Sequence, residues 1–306
     1  MINGILNVYK EKGYTSHDVV AKLRGITKQK KIGHTGTLDP DAQGVLPVCL
    51  GRATKLCGLL TEKDKIYECT LLLGKETDTQ DISGTVLKEK ETAHLTEENV
   101  KNCIHGYIGA YEQVPPMYSA LKVNGKKLYE LAREGKEVTR TPRQVQIYQI
   151  DILAMKLPRV RMRIHCSKGT YIRTLCHDIG VQLGTGGCME ELLRAKAGCF
   201  AVEDSLRLEE IEMYMKKGEF DKILIPTDRM FSGLRMVTVG EKEARLAYNG
   251  NTFPAPKQAD AVCHHADEEV RVYDEEQQFI GIFYYDEKKK SFKVRKMFLS
   301  QEEVKG

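Results

Sequence analysis

The sequence contains no apolar run approaching the roughly 18 residues that a membrane-crossing helix requires. Its opening stretch, MINGILNVYKEKGYTS, has no basic region leading into an apolar one, so no secretory signal is expected. No Cys-x-x-Cys pair occurs. The nine cysteines are odd in number and scattered, which excludes a small disulfide framework and offers structural zinc no clustered ligands. Reduced thiols in a cytosolic protein are the simplest account. Cofactor signatures fail in turn. Gly74-Lys75-Glu76-Thr77 resembles the tail of a phosphate-binding loop, but Cys69 replaces the first glycine and no Ser or Thr follows the lysine. Gly184-Thr185-Gly186-Gly187 follows a helical pattern instead of a strand, against a dinucleotide site. Cys263-His264-His265 looks like a metal tract, yet adjacent residues rarely chelate one ion, and a surface turn is expected there. The paired motifs of zinc deaminases are missing, as are internal repeats and low-complexity tracts. No cofactor and no metal are expected.

What is present is an ordinary globular composition. Apolar residues make up 41% and charged residues 29%, which excludes disorder over the whole length. At 306 residues the chain has room for two domains. The net charge of +4 says little, but its distribution says more. Residues 1–35 carry seven Lys/Arg against two acids, residues 122–143 seven against three, and residues 155–173 six against none. Residues 236–306 are slightly acidic, with eleven basic and thirteen acidic groups, leaving an excess of +6 in the first 235. Clustered positive charge fits a polyanionic partner; three solvated basic faces fit the counts equally well.

Local patterns place the motifs. A helix is predicted from about Ser16 to Leu23, with Ser16 capping and Val19, Val20 and Leu23 on one face. From Ile32 to Gly51 the density of Gly and Pro predicts a tight, folded-back loop. Ile66 to Leu73 reads as a strand ending at Gly74. The clearest strand is 159–166, whose alternation sets Val160, Met162, Ile164 and Cys166 against Arg159, Arg161, Arg163 and His165. A turn at Ser167–Gly169 leads into a helix from about Thr170 to Leu183 that carries Tyr171 and Arg173 in its first turn. Beyond Pro226, short apolar runs near Val270–Tyr273, Phe279–Tyr285 and Phe292–Leu299, parted by polar turns, suit a small β-rich domain over 236–306.

Asp39 stands in the glycine-lined loop, before Pro40, which drives its backbone to an extended conformation. His34, Thr35 and Thr37 share the loop. An aspartate in a turn is most often a local cap; this one also has a candidate cationic partner, Arg173, able to pair with it bidentately and favour the charged form.

The stretch GHTGTLDPDAQGVLPVCLGRATK, residues 33–55, resembles the catalytic motif of the bacterial tRNA pseudouridine-55 synthases. The resemblance continues through Lys65-Ile66-Tyr67, Leu73-Gly74 and Thr77-Asp78-Thr79-x-Asp81-x-x-Gly84. It extends to Gln113-x-Pro115-Pro116-x-Tyr118-Ser119-Ala120-x-Lys122, with Gly125, Tyr129, Ala132 and Arg133, then Cys166 to Leu175, and ends at Leu193-Arg194 with Gly198 and Phe200. Five ordered motifs over the first two thirds of the chain are jointly very specific. Glu11 stands where the family usually has proline, Gly187-Cys188 replaces a common Ala-His pair, and Ala195 replaces a frequent second arginine.

The resemblance implies an α+β fold: a mixed, largely antiparallel central sheet flanked by helices in a catalytic domain over 1–235, then a small PUA-like β-barrel over 236–306. It implies isomerisation of the T-loop uridine 55 of tRNA to pseudouridine, with no cofactor, by a monomer that binds the T-arm. Asp39 would be the catalytic carboxylate, as nucleophile at C1′ or base at C2′, and Arg173 would aim it. Tyr67 would stack on the uracil and take the C5 proton. Tyr171 and Leu193 would wall the pocket, and His34 would fill the space left by the flipped base. Arg159, Arg161 and Arg163 would track phosphates if their face is open. The 122–143 segment, Lys122 included, would be a mobile insertion clamping the T-stem. In the C-terminal part, Lys288–Lys290 and Lys293–Lys296 would make a minor contact. Two rival readings remain, a non-catalytic tRNA chaperone and a carboxylate glycosidase or hydrolase with Asp78 or Asp81 as second acid.

Overall fold

The structure is a computed structural model that describes residues 1–123, 125–255 and 267–299; Cys263-His264-His265 lies outside them. A nine-stranded mixed sheet dominates it. Along its path the strands run Gly4–Lys10, Gln43–Leu50, Gly187–Ala197, Lys65–Leu73, Arg159–Cys166, Arg143–Lys156 and Gly109–Gln113, with Ile32–His34 and Phe200–Ala201 pairing at its side. All pairs are antiparallel except Gly187–Ala197 on Gln43–Leu50, where Leu193 meets Gln43 and Arg194 meets Gly44.

The strand over 159–166 follows its alternation. Val160, Met162, Ile164 and Cys166 are fully buried, while Arg159, Arg161 and Arg163 stand in solvent on the other face. The buried row faces the helix Ile172–Gln182 through Ile172, Leu175 and Ile179, and the same core takes in Leu38 and Ala42 from the Asp39 loop. Each such aliphatic side chain contributes about 1.5–3 kcal/mol when removed from water. The helix crosses the sheet very closely. A Cβ on Gly180 would lie 2.1 Å from the Gly187 nitrogen, and one on Gly187 would lie 2.8 Å from the Cys176 carbonyl. Gly187 therefore seats the helix that carries Arg173.

Two predicted elements differ. The first helix spans Ser16–Thr27, and its cap is Thr15, in a reciprocal capping box with Asp18. Ser16 instead turns its hydroxyl toward Leu38. The segment over 32–51 is not one loop. Ile32–His34 and Gln43–Leu50 are strands, and only 35–42 folds back. Pro47 is tolerated inside a strand because its neighbour changes there: Gly44 pairs with Arg194, and pairing with His34 begins at Val48. Gly44 has φ 108°, and a Cβ there would sit 2.4 Å from the Arg194 carbonyl, so the parallel junction requires glycine.

A second sheet of five strands, in the order Arg235–Thr238, Glu269–Tyr273, Phe279–Asp286, Ser291–Met297 and Phe253–Pro254, curls into a half-barrel of the PUA-like kind around its own core. It joins the large sheet through an apolar seam in which Phe298 and Ile282 meet Ile5, Val45 and Phe200. Arg52 and Lys55 donate to the carbonyls of Phe298 and Met297 across it. No helix among the described residues is long and apolar enough to cross a membrane.

Candidate active site

The Asp39 loop is held on both flanks. Before Asp39, the Leu38 N–H donates to the buried Ser16 hydroxyl at 3.0 Å. After it, the Pro40 carbonyl accepts from Lys10 Nζ at 3.1 Å and from the Gly13 N–H at 2.9 Å, and the Ala42 carbonyl accepts from Lys10 at 2.5 Å. Lys10 is fully buried, and burial pulls its ammonium down to about 8. Glu11, in the usual place of proline, pairs with Arg207 at 2.8 Å and leaves this clamp intact.

Asp39 is left with its side chain 36% exposed beside Arg173, which is 6% exposed. Arg173 Nη2 donates to Asp39 Oδ1 at 3.2 Å and to the Tyr118 carbonyl at 2.7 Å, while Nη1 lies 3.8 Å from Asp81 Oδ2. The expected bidentate pair is therefore a single contact, because the guanidinium is shared between two carboxylates and a carbonyl. Its effect on Asp39 also differs from expectation. Burial pushes the Asp39 carboxyl above the usual carboxylate range; Arg173 pulls it back in part, and the negative charge of Asp81 opposes that pull.

Asp81 is fixed as a brace. Its Oδ1 accepts from Thr79 Oγ1 at 2.8 Å, the Ser83 N–H at 3.0 Å and Ser83 Oγ at 2.6 Å. Asp78, the other candidate second acid, spends Oδ1 on the Thr85 N–H at 2.8 Å. Neither arrangement provides the free acid that a hydrolase would need.

Tyr67 lies on the core face of its strand, paired in register with Ile164 and Arg194. Burial raises its phenol, Arg194 beside it lowers it through a hydrogen bond, and the Asp39 charge raises it. Arg194 is 1% exposed and donates to the Val45 carbonyl at 2.7 Å and the Gly36 carbonyl at 3.2 Å, tying both ends of the Asp39 segment to the strand. Tyr171 precedes the Arg173 helix. Its N–H donates to Gln113 Oε1 at 2.7 Å and its carbonyl accepts from Gln113 Nε2 at 3.0 Å, so one buried amide grips the helix start. Burial raises the Tyr171 phenol as well, with the Asp39 charge adding to it. His34 stands edge to face with His17 at 5.6 Å, and burial holds its imidazole below the usual range. Leu193 meets Gln43 at the rim.

Asp39, Arg173, Tyr67, Tyr171, Leu193 and His34 thus gather around one loop. Arg159, Arg161 and Arg163 do not join them. They project from the sheet face opposite Tyr67, where Arg159 forms a two-bond pair with Glu190 at 2.8 and 2.9 Å. Arg161 and Arg163 both reach Glu68, at 2.8 and 3.9 Å. Their face is open but largely neutralised. Lys122 lies exposed on a short hairpin, Lys122–Val123 with Lys126–Lys127, that leads into the helix Leu128–Arg133. Ser16, Lys10, Gln113 and Arg194 were not singled out as site residues in the sequence. A lysine, glutamine or arginine reads as surface until burial is known, and motif membership was the only available signal for Gln113 and Arg194.

Comparison with known proteins decides the family. Residues 24–172 match the profile described as TruB family pseudouridylate synthase (N terminal domain), and residues 173–232 match tRNA pseudouridylate synthase B C-terminal domain. The chain belongs to the TruB family of pseudouridylate synthases. Among curated relatives, tRNA pseudouridine synthase B of Lachnoclostridium phytofermentans is 52% identical over 97% of this chain and 100% of its own. The enzyme of the same name from Clostridium perfringens is 42% identical over 98% of this chain and 100% of its own. A crystal structure of a Cbf5-Nop10-Gar1 complex matches with TM-score 0.70 at 25% identity, covering 98% of this chain and 86% of that one. A structure of an H/ACA RNP bound to a substrate RNA containing 2'-deoxyuridine matches with TM-score 0.69 at 22% identity, over 97% and 86%, and supports the fold alone. As a TruB-family enzyme the chain isomerises uridine in tRNA to pseudouridine. The profile junction at 172/173 falls at the start of the Arg173 helix, within a site that both segments build.

Proposed function

We propose that this enzyme acts on uridine 55 in the T-loop of tRNA, with Asp39 as the residue that opens the glycosidic bond. The observation that carries the assignment is a carboxylate on a loop clamped at Leu38 and at Pro40–Ala42, touching the buried Arg173 with Tyr67 and Tyr171 within reach of its charge. Asp39 attacks C1′ or removes the C2′ proton, and the N1–C1′ bond breaks. The freed uracil turns and C5 bonds to C1′ as the Asp39–C1′ bond breaks or, in the second route, as Asp39 returns the proton to C2′; the C5 proton then leaves and N1 is protonated. Atoms and oxidation state balance without a cofactor. The raised carboxyl of Asp39 suits either role once ionised, because a desolvated anion is a stronger nucleophile and base. Tyr67 stacks on the uracil and takes the C5 proton, Arg173 aims Asp39, Tyr171 and Leu193 wall the base, and His34 fills the place it left.

The exposed segment over 122–143 clamps the T-stem. Lys122 is exposed to meet phosphate, Lys126 can exchange its exposed pair with Glu134 at 3.8 Å for one, and Lys127 and Arg133 lie over the Tyr129 ring at 5.2 and 5.5 Å. Residues 236–306 form the second RNA-binding domain, with Lys288–Lys290 exposed at one turn. The enzyme acts as a monomer, in the cytosol where tRNA matures.

The test is Asp39→Asn. Tritium release from tRNA labelled at uracil C5 is expected to fall to background with tRNA affinity retained. Undiminished release would overturn the assignment, and free uracil as product would turn it toward hydrolysis.

A further inference from the structure

The first helix contributes one group to the Asp39 loop, and the helix itself does not need it. Ser16 is fully buried, yet the helix N-terminus is already capped by Thr15, whose hydroxyl accepts from the Asp18 N–H while Asp18 accepts from the Thr15 N–H. The Ser16 hydroxyl is thereby released for a contact distant in sequence. It accepts from the Leu38 N–H at 3.0 Å and faces the Leu38 carbonyl at 3.4 Å. The Leu38 side chain is 4% exposed in the main core, so the peptide that precedes Asp39 is fixed at its side chain by packing and at its backbone by Ser16. A buried N–H without an acceptor is costly, and the loop without this hydroxyl relaxes toward another partner. Lys10 and Gly13 hold only the following side, at Pro40 and Ala42.

We propose that Ser16 is a positioning residue for the isomerisation, its hydroxyl fixing the Leu38 peptide and with it the direction in which the Asp39 carboxylate leaves the loop. This rests on Asp39 carrying the chemistry. The role acts on turnover and not on capture of the tRNA, since Ser16 is buried beneath the loop.

The experiment compares full-length Ser16→Ala and Thr15→Ala by kcat and KM on T-arm tRNA, by melting temperature and by the pH profile of kcat. Thr15→Ala weakens the same helix at its cap and leaves the Leu38 contact in place. Ser16→Ala is expected to lower kcat about tenfold or more, with KM within about twofold and the acid limb of the pH profile moved, because a small misplacement of a reacting group is costly. Thr15→Ala is expected to lower the melting temperature and leave kcat within about twofold. Should Ser16→Ala fail to fold, Ser16→Cys keeps the volume with a weaker acceptor and is expected to show the same kcat loss. Ser16→Thr, which retains the hydroxyl, restores turnover. An unchanged kcat in Ser16→Ala, or equal losses in the Ser16 and Thr15 variants, overturns the proposal. Full activity in Asp39→Asn would instead remove the reading beneath it.

Discussion

The two faces of the large sheet use arginine in opposite ways. On the core face Arg173 and Arg194 are 6% and 1% exposed; Arg194 donates to the Val45 and Gly36 carbonyls at the two ends of the Asp39 segment, and Arg173 to Asp39 and the Tyr118 carbonyl. On the reverse face Arg159, Arg161 and Arg163 are 56%, 58% and 46% exposed and pair with Glu190 and Glu68. A buried guanidinium must find fixed acceptors or destabilise the fold, so it becomes a rigid part; an exposed one is screened and contributes about 0–1 kcal/mol. Local charge density, highest around the second group, was therefore a poor guide to which arginines lie buried beside Asp39.

The largest effect expected on the core face is that of Asp39→Asn, a loss of at least about ten-thousandfold in turnover by tritium release. The same substitution sharpens the electrostatic reading. A carboxyl whose folded pKa is raised makes the folded state hold its proton longer than the unfolded chain, so its contribution to stability falls as pH rises from the ordinary carboxylate value through the raised one. Asp39→Asn should then melt no lower than the parent at neutral pH, and any advantage should vanish in acid, as thermal melts at both pH values would reveal. A lower neutral melting temperature would mean that Arg173 outweighs burial.

Arg194→Met comes next. It leaves the Val45 and Gly36 carbonyls without their donor, and an unfolding loss of about 3–5 kcal/mol by denaturant titration is expected. A loss below about 1 kcal/mol would place Arg194 with the surface arginines. Arg173→Lys keeps the charge but cannot reach Asp39, Asp81 and the Tyr118 carbonyl together, and about a hundredfold loss of kcat is expected with tRNA affinity preserved.

The smallest effect belongs to the reverse face. Replacing Arg159, Arg161 and Arg163 together with Gln is expected to change unfolding free energy by less than about 1 kcal/mol per pair. It should also leave the slope of log affinity for tRNA against log salt within about one of the parent. A slope reduced by two or three would put RNA phosphates on this face and erase the distinction between the two.

Where one backbone period governed burial, the sequence was readable. The strand at 159–166 and the apolar row of the Arg173 helix follow directly from alternation and from the spacing of Ile172, Leu175 and Ile179. Where partners come from far along the chain it was not. The Gly- and Pro-rich composition of 32–51 concealed a central strand, because Pro47 and Gly44 are acceptable there only in the light of which strands lie alongside. Ser16 looked like a helix cap because its competitor, Thr15 with Asp18, is as well suited locally, and the claim of Leu38 on the hydroxyl spans 22 residues. Asp39 and Arg173 were legible as a pair, while the sharing of Arg173 with Asp81 and Tyr118, which turns a bidentate bond into one contact, was not.

By itself, the order of side chains determined the alternating strand, the amphipathic helix and the motif set that marks the family. Those depend on chain geometry within a few residues. Tertiary structure alone decided which cations are buried, which face of the sheet holds Asp39, and whether burial or Arg173 governs its proton. Each of these depends on how much water the assembled fold leaves around a charge, and no local stretch of sequence contains that quantity.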